Sequence, residues 1–168
     1  MTSPESLTIT TLGRPAAQGS KRLLGRVMVE ASAAVAPWRA AVTQAAVDAI
    51  AEAGHEVRPV YNGPVFVDMC FTVRKPTSAP KTRVSWPSTR PDLDKLVRAC
   101  GDAIVAAGVL RDDAQIVELA AAKRYPLEGP GSLPVPGVVI TVQPADHQPT
   151  LGTDNDPVVS LDAARWTP

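Results

Sequence analysis

Histidine and cysteine are nearly missing from this sequence: His55 and His147, Cys70 and Cys100 are all there is in 168 residues. Neither cysteine belongs to a Cys-x-x-Cys pair and the histidines are scattered, which excludes a zinc site built from these ligands. Each cysteine sits in an apolar stretch and reads as a buried, reduced thiol. Aromatic residues are scarce at 4%, so the core must come from the aliphatic share of the 45% hydrophobic residues. No apolar run approaches the roughly 20 residues a membrane helix needs. Residues 1–14 lack a basic start followed by an apolar segment, so no signal peptide is expected and the expected compartment is the cytoplasm.

Net charge is also missing, with 17 basic and 17 acidic residues, but the charges are unevenly spread. Residues 1–127 carry 16 of the basic and 12 of the acidic side chains, a balance of +4, leaving residues 128–168 at −4. A basic body with an acidic end is compatible with a face that binds a polyanion. After Pro144 the composition turns to Pro, Asp, Gly and Thr, so the expected organisation is one domain over residues 1–143 and a flexible acidic tail over 144–168.

Strand and helix signals follow from periodicity. Leu7, Ile9 and Thr11 alternate with Thr8 and Thr10 before Gly13-Arg14-Pro15 stops the run, which predicts a strand. A polar loop, Gln18 to Arg22, follows. Trp38, Ala41, Val42, Ala45, Ala49 and Ile50 recur at three- and four-residue steps, predicting a helix over about 37–53 with Gly54 as its stop. Residues 65–73, rich in β-branched and aromatic side chains between Gly63-Pro64 and Lys75-Pro76, predict a strand. A second helix is expected over about 92–107, with Leu96, Cys100, Ala103, Ile104 and Ala107 as its apolar stripe, ended by Gly108. Strands over about 115–125 and 137–142 complete the set. The order β-α-β-α-β-β predicts an α+β (α/β) fold, a small mixed β-sheet of about four strands covered by helices.

Chemistry concentrates in Arg90-Pro91-Asp92-Leu93-Asp94-Lys95, followed by Asp112-Asp113. Hard divalent cations take oxygen ligands, and Mg²⁺ is commonly held by a few carboxylates together with water and substrate phosphate. Sixteen helical residues rise roughly 24 Å, so bringing Asp113 beside Asp92 and Asp94 requires the chain after Gly108 to run back along the helix. A plainer reading stands beside this one. Asp92 suits an N-cap, Asp94 the helix dipole, Asp112-Asp113 a solvated turn, and Arg98 with Asp102 an i,i+4 ion pair.

The stretch from Arg90 to Tyr125, RPDLDKLVRACGDAIVAAGVLRDDAQIVELAAAKRY, resembles the signature of the RusA family of Holliday junction resolvases, phage and prophage members included. Asp92, Asp94, Lys95, Asp102, Gly108, Asp112, Asp113, Gln115, Ile116 and Lys123 carry the match. The runs GRPAAQGSKR and PWRAAV look like the phage-type members. The resemblance implies a Mg²⁺- or Mn²⁺-dependent endodeoxyribonuclease of DNA recombination and repair, a homodimer making paired cuts in a four-way DNA junction. It needs no small-molecule cofactor and no membrane. Asp92, Asp94 and Asp113 match the metal-binding catalytic aspartates, with Asp112 and Asp102 as supporting carboxylates. Where some members carry a catalytic Lys this chain has Arg98, and where they carry Asn it has Lys95, so the basic catalytic role falls to Lys95 or Arg98.

Around this motif the 74–91 loop holds Arg74, Lys75, Lys81, Arg83 and Arg90 and no acid. With Lys21, Arg22 and Lys123 these are candidate DNA contacts that position the backbone without reading sequence. Trp86 is expected to pack beneath this loop, with stacking on an exposed junction base as its second reading. Two rivals remain open from the residues: a nuclease of flaps or RNA, and a nucleic-acid-binding protein without catalysis.

Overall fold

The computed structural model describes residues 5–19, 21–24, 27–30, 33–80 and 82–145. The elements are β1 (Leu7–Leu12), β2 (Lys21–Leu24), β3 (Val27–Glu30), α1 (Val35–Glu52), β4 (Val65–Thr72), α2 (Leu93–Ala106), a 3₁₀ turn (Asp113–Gln115), β5 (Ile116–Arg124) and β6 (Gly137–Pro144). Four strands form one mixed sheet in the order β1-β6-β4-β5. The β6 strand is antiparallel to both neighbours, and β5 is parallel to β4. This is the α+β arrangement expected from the sequence, with one addition: β2 and β3 pair as an antiparallel hairpin where the sequence suggests a polar loop. Four-residue strands give a periodicity too short to read. The tail beyond residue 145, Arg26 and Lys81 lie outside the described residues, as do the side chains of Lys21 and Arg22.

Two helices pack on one face of the sheet. The α1 helix buries Val35, Trp38, Val42, Ala46 and Ile50. The stripe therefore runs through Ala46; Ala41, expected on it, is exposed, because Trp38, Val42 and Ile50 set the face and alanines on either side satisfy the pattern equally. The α2 helix buries Leu96, Ala99, Cys100, Gly101, Ala103 and Ile104. Small residues at 99, 101 and 103 let α1 approach closely enough for Thr43 Oγ1 to donate to the Ala103 carbonyl at 3.3 Å. The sheet supplies Leu7, Ile9, Val65, Val67, Met69, Phe71, Val138, Ile140 and Val142 to the same core. Tyr61, fully buried at its edge, donates to the Val142 carbonyl at 2.9 Å.

Both cysteines are buried free thiols. Burial pushes the Cys100 thiol up to about 12, so it is inert at neutral pH. Gly108, at φ +80°, reverses the chain after α2. A Cβ there would meet the Arg58 side chain at 2.9 Å, while Arg58 Nη1 donates to the Ala107 carbonyl at 3.0 Å. The turn is thus closed from outside the helix as well as by its own glycine. Among the described residues no helix is long and apolar enough to cross a membrane.

Ile104 lies at the centre of the helix–sheet contact with no exposed surface. Ile104→Ala is expected to lower stability by about 2–5 kcal/mol through lost transfer energy and a residual cavity. Urea unfolding with an unchanged m-value checks this; a loss under about 0.5 kcal/mol would mean the side chain is not a core element.

Candidate active site

The β4–α2–β5 connection determines where the site lies. The two strands are parallel, so α2 runs back against them, and its N-terminus sits at the carboxyl ends of β4 and β5. In open α/β sheets that edge is where ligands bind. Asp92 is the N-cap residue of α2, with extended backbone at φ −71° and ψ 135°, yet its side chain makes no capping bond. The carboxylate turns outward and accepts from Lys95 Nζ at 2.8 Å. That hydrogen bond, reinforced by the ammonium charge, holds Asp92 below the usual carboxylate range and raises Lys95 in turn. Asp94, exposed in the first helical turn, follows it.

Asp92 and Lys95 border a cleft of about 630 Å³, together with Arg14, Ala16, Ala34 and Arg90, among others. A smaller cleft of about 100 Å³ shares Arg14 and Arg90 and adds Arg74 and Tyr125. The segment after β1 closes over the helix, with Gln18 N–H donating to the Lys95 carbonyl at 3.0 Å. The clefts therefore present the Asp92 carboxylate within a set of guanidinium and ammonium groups. Such a basic setting suits a phosphate backbone.

The basic loop is anchored as well as charged. Lys75 Nζ donates to Glu128 Oε1 and lies 5.7 Å from the Tyr125 ring centre, while Glu128 Oε2 accepts from Ser85 N–H at 3.0 Å. Lys123, on β5, donates to the carbonyls of Thr89 and Pro91 at 2.9 and 2.8 Å. It holds the peptide that leads into Asp92. Trp86 is 69% exposed, with the Arg124 guanidinium 4.8 Å from its ring centre. This corrects the expectation that Trp86 packs beneath the loop: a cation–π contact supports its outer position. Arg74, Arg83 and Arg90 are exposed.

Asp113 sits at the other end of the strand. From Ile116 to Lys123 alone β5 advances about 23 Å, and Lys123 is the residue beside Pro91. Asp113 instead lines a separate groove of about 270 Å³ with Val97, Arg98, Gly101, Asp102, Val117 and Leu119. Asp94 precedes Asp102 by two helical turns, about 12 Å. Among the described residues no group of three or more His, Cys, Asp or Glu side chains is placed to hold a metal ion. Within one chain, then, Asp92 and Asp94 share an end and Asp113 does not join them, because the chain after Gly108 returns to the sheet before it has travelled back along α2. Asp112 caps the 3₁₀ turn, accepting from Ala114 N–H at 2.9 Å, and Gln115 completes the capping box. Asp102 pairs with Arg39 of α1 at 3.5 Å rather than with Arg98.

Residues 13–142 match the endodeoxyribonuclease RusA family. The chain belongs to the RusA family. No curated protein matches it. The matched span includes β4, β5, most of β6 and both helices but none of β1, so the two aspartates at the start of α2 belong to an endodeoxyribonuclease fold and DNA is its substrate class.

In this RusA protein the site contains two residues that spacing did not single out. Arg14 lines both clefts; in the sequence it stands in Gly13-Arg14-Pro15, a strand-ending signal whose charge has no visible partner. Arg124 reaches Trp86 from the end of β5, and only the strand pairing brings these two together. The Glu128 carboxyl is held below its ordinary value, first by the Lys75 hydrogen bond and then by the Ser85 amide. A carboxylate depressed in the folded chain contributes fully above the unfolded value and loses that contribution as pH falls through the folded one. Glu128→Ala at neutral pH is therefore expected to reduce hydrogen-exchange protection of the Ser85 amide about tenfold, the scale of one hydrogen bond. In the unsubstituted protein the same loss should appear only on acidification below the ordinary glutamate value of 4.5. Protection unchanged in both experiments would mean that Glu128 does not tether the loop.

Proposed function

We propose that this RusA family member is a divalent-metal-dependent resolvase of four-way DNA junctions, acting as a homodimer that makes paired strand cuts in DNA recombination and repair. The observation carrying this reading is the Asp92 carboxylate. It occupies an N-cap position, declines the capping bond, and faces a cleft whose other charged lining is Arg14, Arg90 and Lys95. A carboxylate that only capped a helix would turn toward the amides of the first turn.

The donor chemistry fits Mg²⁺, with Mn²⁺ as a substitute. Asp92 and Asp94 are hard oxygen donors one helical turn or less apart, and Mg²⁺ keeps several waters and shares phosphate oxygens rather than demanding an all-protein cage. Asp113 is assigned to the same ligand set and, given its place at the far end of β5, would come from a second chain. An ion held by these carboxylates would supply Lewis-acid polarisation of the scissile phosphate and a water of lowered pKa. The chain's own residues do the remainder. Arg14 and Arg90 hold the phosphate backbone across the cleft without reading bases. Lys95, now paired with Asp92, is placed to meet the charge that develops on phosphorus. Its position in the cleft favours it over Arg98, which faces the other groove. Lys123 keeps the Thr89–Pro91 carbonyls, and so Asp92, in place. Asp112 and Asp102, through their capping and Arg39 bonds, hold the return of the chain rather than the reacting phosphate.

Asp94→Asn is expected to lower cleavage of a four-way junction by about two orders of magnitude or more, the scale of losing one transition-state electrostatic contact, while gel-shift affinity for the junction in Ca²⁺ stays within about threefold, since the phosphate contacts remain. Cleavage should vanish in EDTA and return with Mg²⁺ or Mn²⁺. Unchanged cleavage in Asp94→Asn would remove the catalytic assignment. Equal rates on junctions, flaps, linear duplex and RNA would contradict junction specificity.

A further inference from the structure

Aromatic rings are scarce in this chain and the core takes nearly all of them. Among the described residues Trp38, Tyr61, Phe71 and Tyr125 are buried and Phe66 is half-buried, which leaves Trp86 as the one exposed aromatic side chain. Its neighbour Val84 is exposed with it. The indole is held in this outer position from several sides. Ser85 N–H is tied to Glu128, and Ser88 N–H closes a turn on the Trp86 carbonyl at 2.9 Å. The Arg124 guanidinium lies over the ring. Arg124 is itself confined: it donates to the Lys123 carbonyl at 2.9 Å, and a Cβ on Gly129 would meet its Nε at 3.2 Å. One face of the indole is thus backed by a fixed cation, while the ring as a whole stays open to solvent.

The charges beside the ring say what meets it. Pro87 and Tyr125, the residues next to Trp86 and Arg124, both line the small cleft of about 100 Å³, along with Arg14, Arg74 and Arg90 and no acid. Arg39, Lys75 and Lys95 each pair with a carboxylate, but among the described residues none of these three guanidinium groups does. Three such groups around one small cleft suit a phosphate, and a flat exposed ring next to them suits a nucleobase. We propose that ring and cleft together form a subsite for one unpaired nucleotide of branched DNA, its base stacked on the open face of Trp86 and a flanking phosphate held by Arg14, Arg74 and Arg90. In a continuous duplex each base is already stacked between its neighbours and offers no free face. The indole therefore adds affinity only where pairing is interrupted, and separates branched from linear DNA without reading sequence. The subsite adjoins the Asp92 cleft, with which it shares Arg14 and Arg90. DNA as the ligand follows from the family; interrupted pairing as the feature recognised rests on the resolvase reading above.

Binding without cleavage tests this. The probes are three labelled DNAs in Ca²⁺: a linear duplex, the same duplex with a bulge of unpaired thymines, and a four-way junction. Trp86→Ala is expected to weaken binding of the bulged duplex and the junction about tenfold, the scale of one lost stacking contact, and of the linear duplex by less than about twofold. Circular dichroism should stay unchanged, since the side chain is exposed. Trp86→Phe should keep most of the affinity. Arg74→Ala should weaken all three DNAs and lower the salt slope by about one. A 5-iodouracil in the bulge should photo-cross-link to Trp86. Equal weakening of all three DNAs by Trp86→Ala, no weakening of any, or a cross-link that maps elsewhere overturns the subsite. If Trp86→Ala loses the bulge selectively and the wild type cuts no junction in Mg²⁺, the subsite stands and the resolvase reading fails. If the wild type resolves junctions and Trp86→Ala binds all three DNAs as the wild type does, the resolvase reading stands and the subsite fails.

Discussion

The parallel pairing of β4 with β5 is the constraint from which the site follows. Parallel neighbours need a crossover long enough to return the chain to its starting level, and here that crossover is the 74–92 loop followed by α2. The helix must therefore begin at the carboxyl ends of the two strands. Asp92 and Asp94 arrive there with the positive end of the helix dipole, next to Lys123 from the end of β5 and Arg14 from the end of β1. The same geometry sends Asp113 to the opposite end of β5. One topological feature thus gathers two carboxylates among cations and separates the third.

Local bonds then hold this arrangement in a form suited to an anion. Lys95 neutralises Asp92 through a direct hydrogen bond, which limits the repulsion a bare carboxylate would exert on DNA. Glu128 draws Lys75 and Ser85 together and gives the basic loop a fixed base while leaving Arg74, Arg83 and Arg90 exposed. Lys123 satisfies two carbonyls of the approach to Asp92. A loop without secondary structure of its own is in this way tied at both ends, as functional loops on a rigid scaffold tend to be. Exposed Trp86 carries the Arg124 guanidinium over its ring at the outside of this loop.

Much of the fold was legible because its elements are long and their apolar spacing is strong. The four sheet strands and both helices lie within a few residues of where alternation and three-four periodicity put them. The β2–β3 hairpin was not legible, because four-residue strands leave no period to detect. Alanine blurred the face of α1, since Ala41 and Ala46 carry the same signal and only the sheet chose between them. At the site, spacing pointed to Asp92, Asp94 and Lys95 together. It gave no hint of Arg14 or Arg124, whose partners are more than 35 residues away along the chain.

Sequence alone determined which residue types are available for chemistry: hard carboxylates and guanidinium groups, with too little histidine and cysteine for zinc. It also determined membership of the RusA family, because the motif from Arg90 to Tyr125 is a matter of order along the chain. Tertiary structure decided which of these groups meet. Position along a helix fixes neighbours three and four residues apart and nothing further, so the distance from Asp94 to Asp113 depended on how the chain returned after Gly108 and on which strand it joined. That return placed Asp113 at the start of an edge strand, beside a groove lined by Val97, Arg98 and Leu119, away from Asp92 and Asp94.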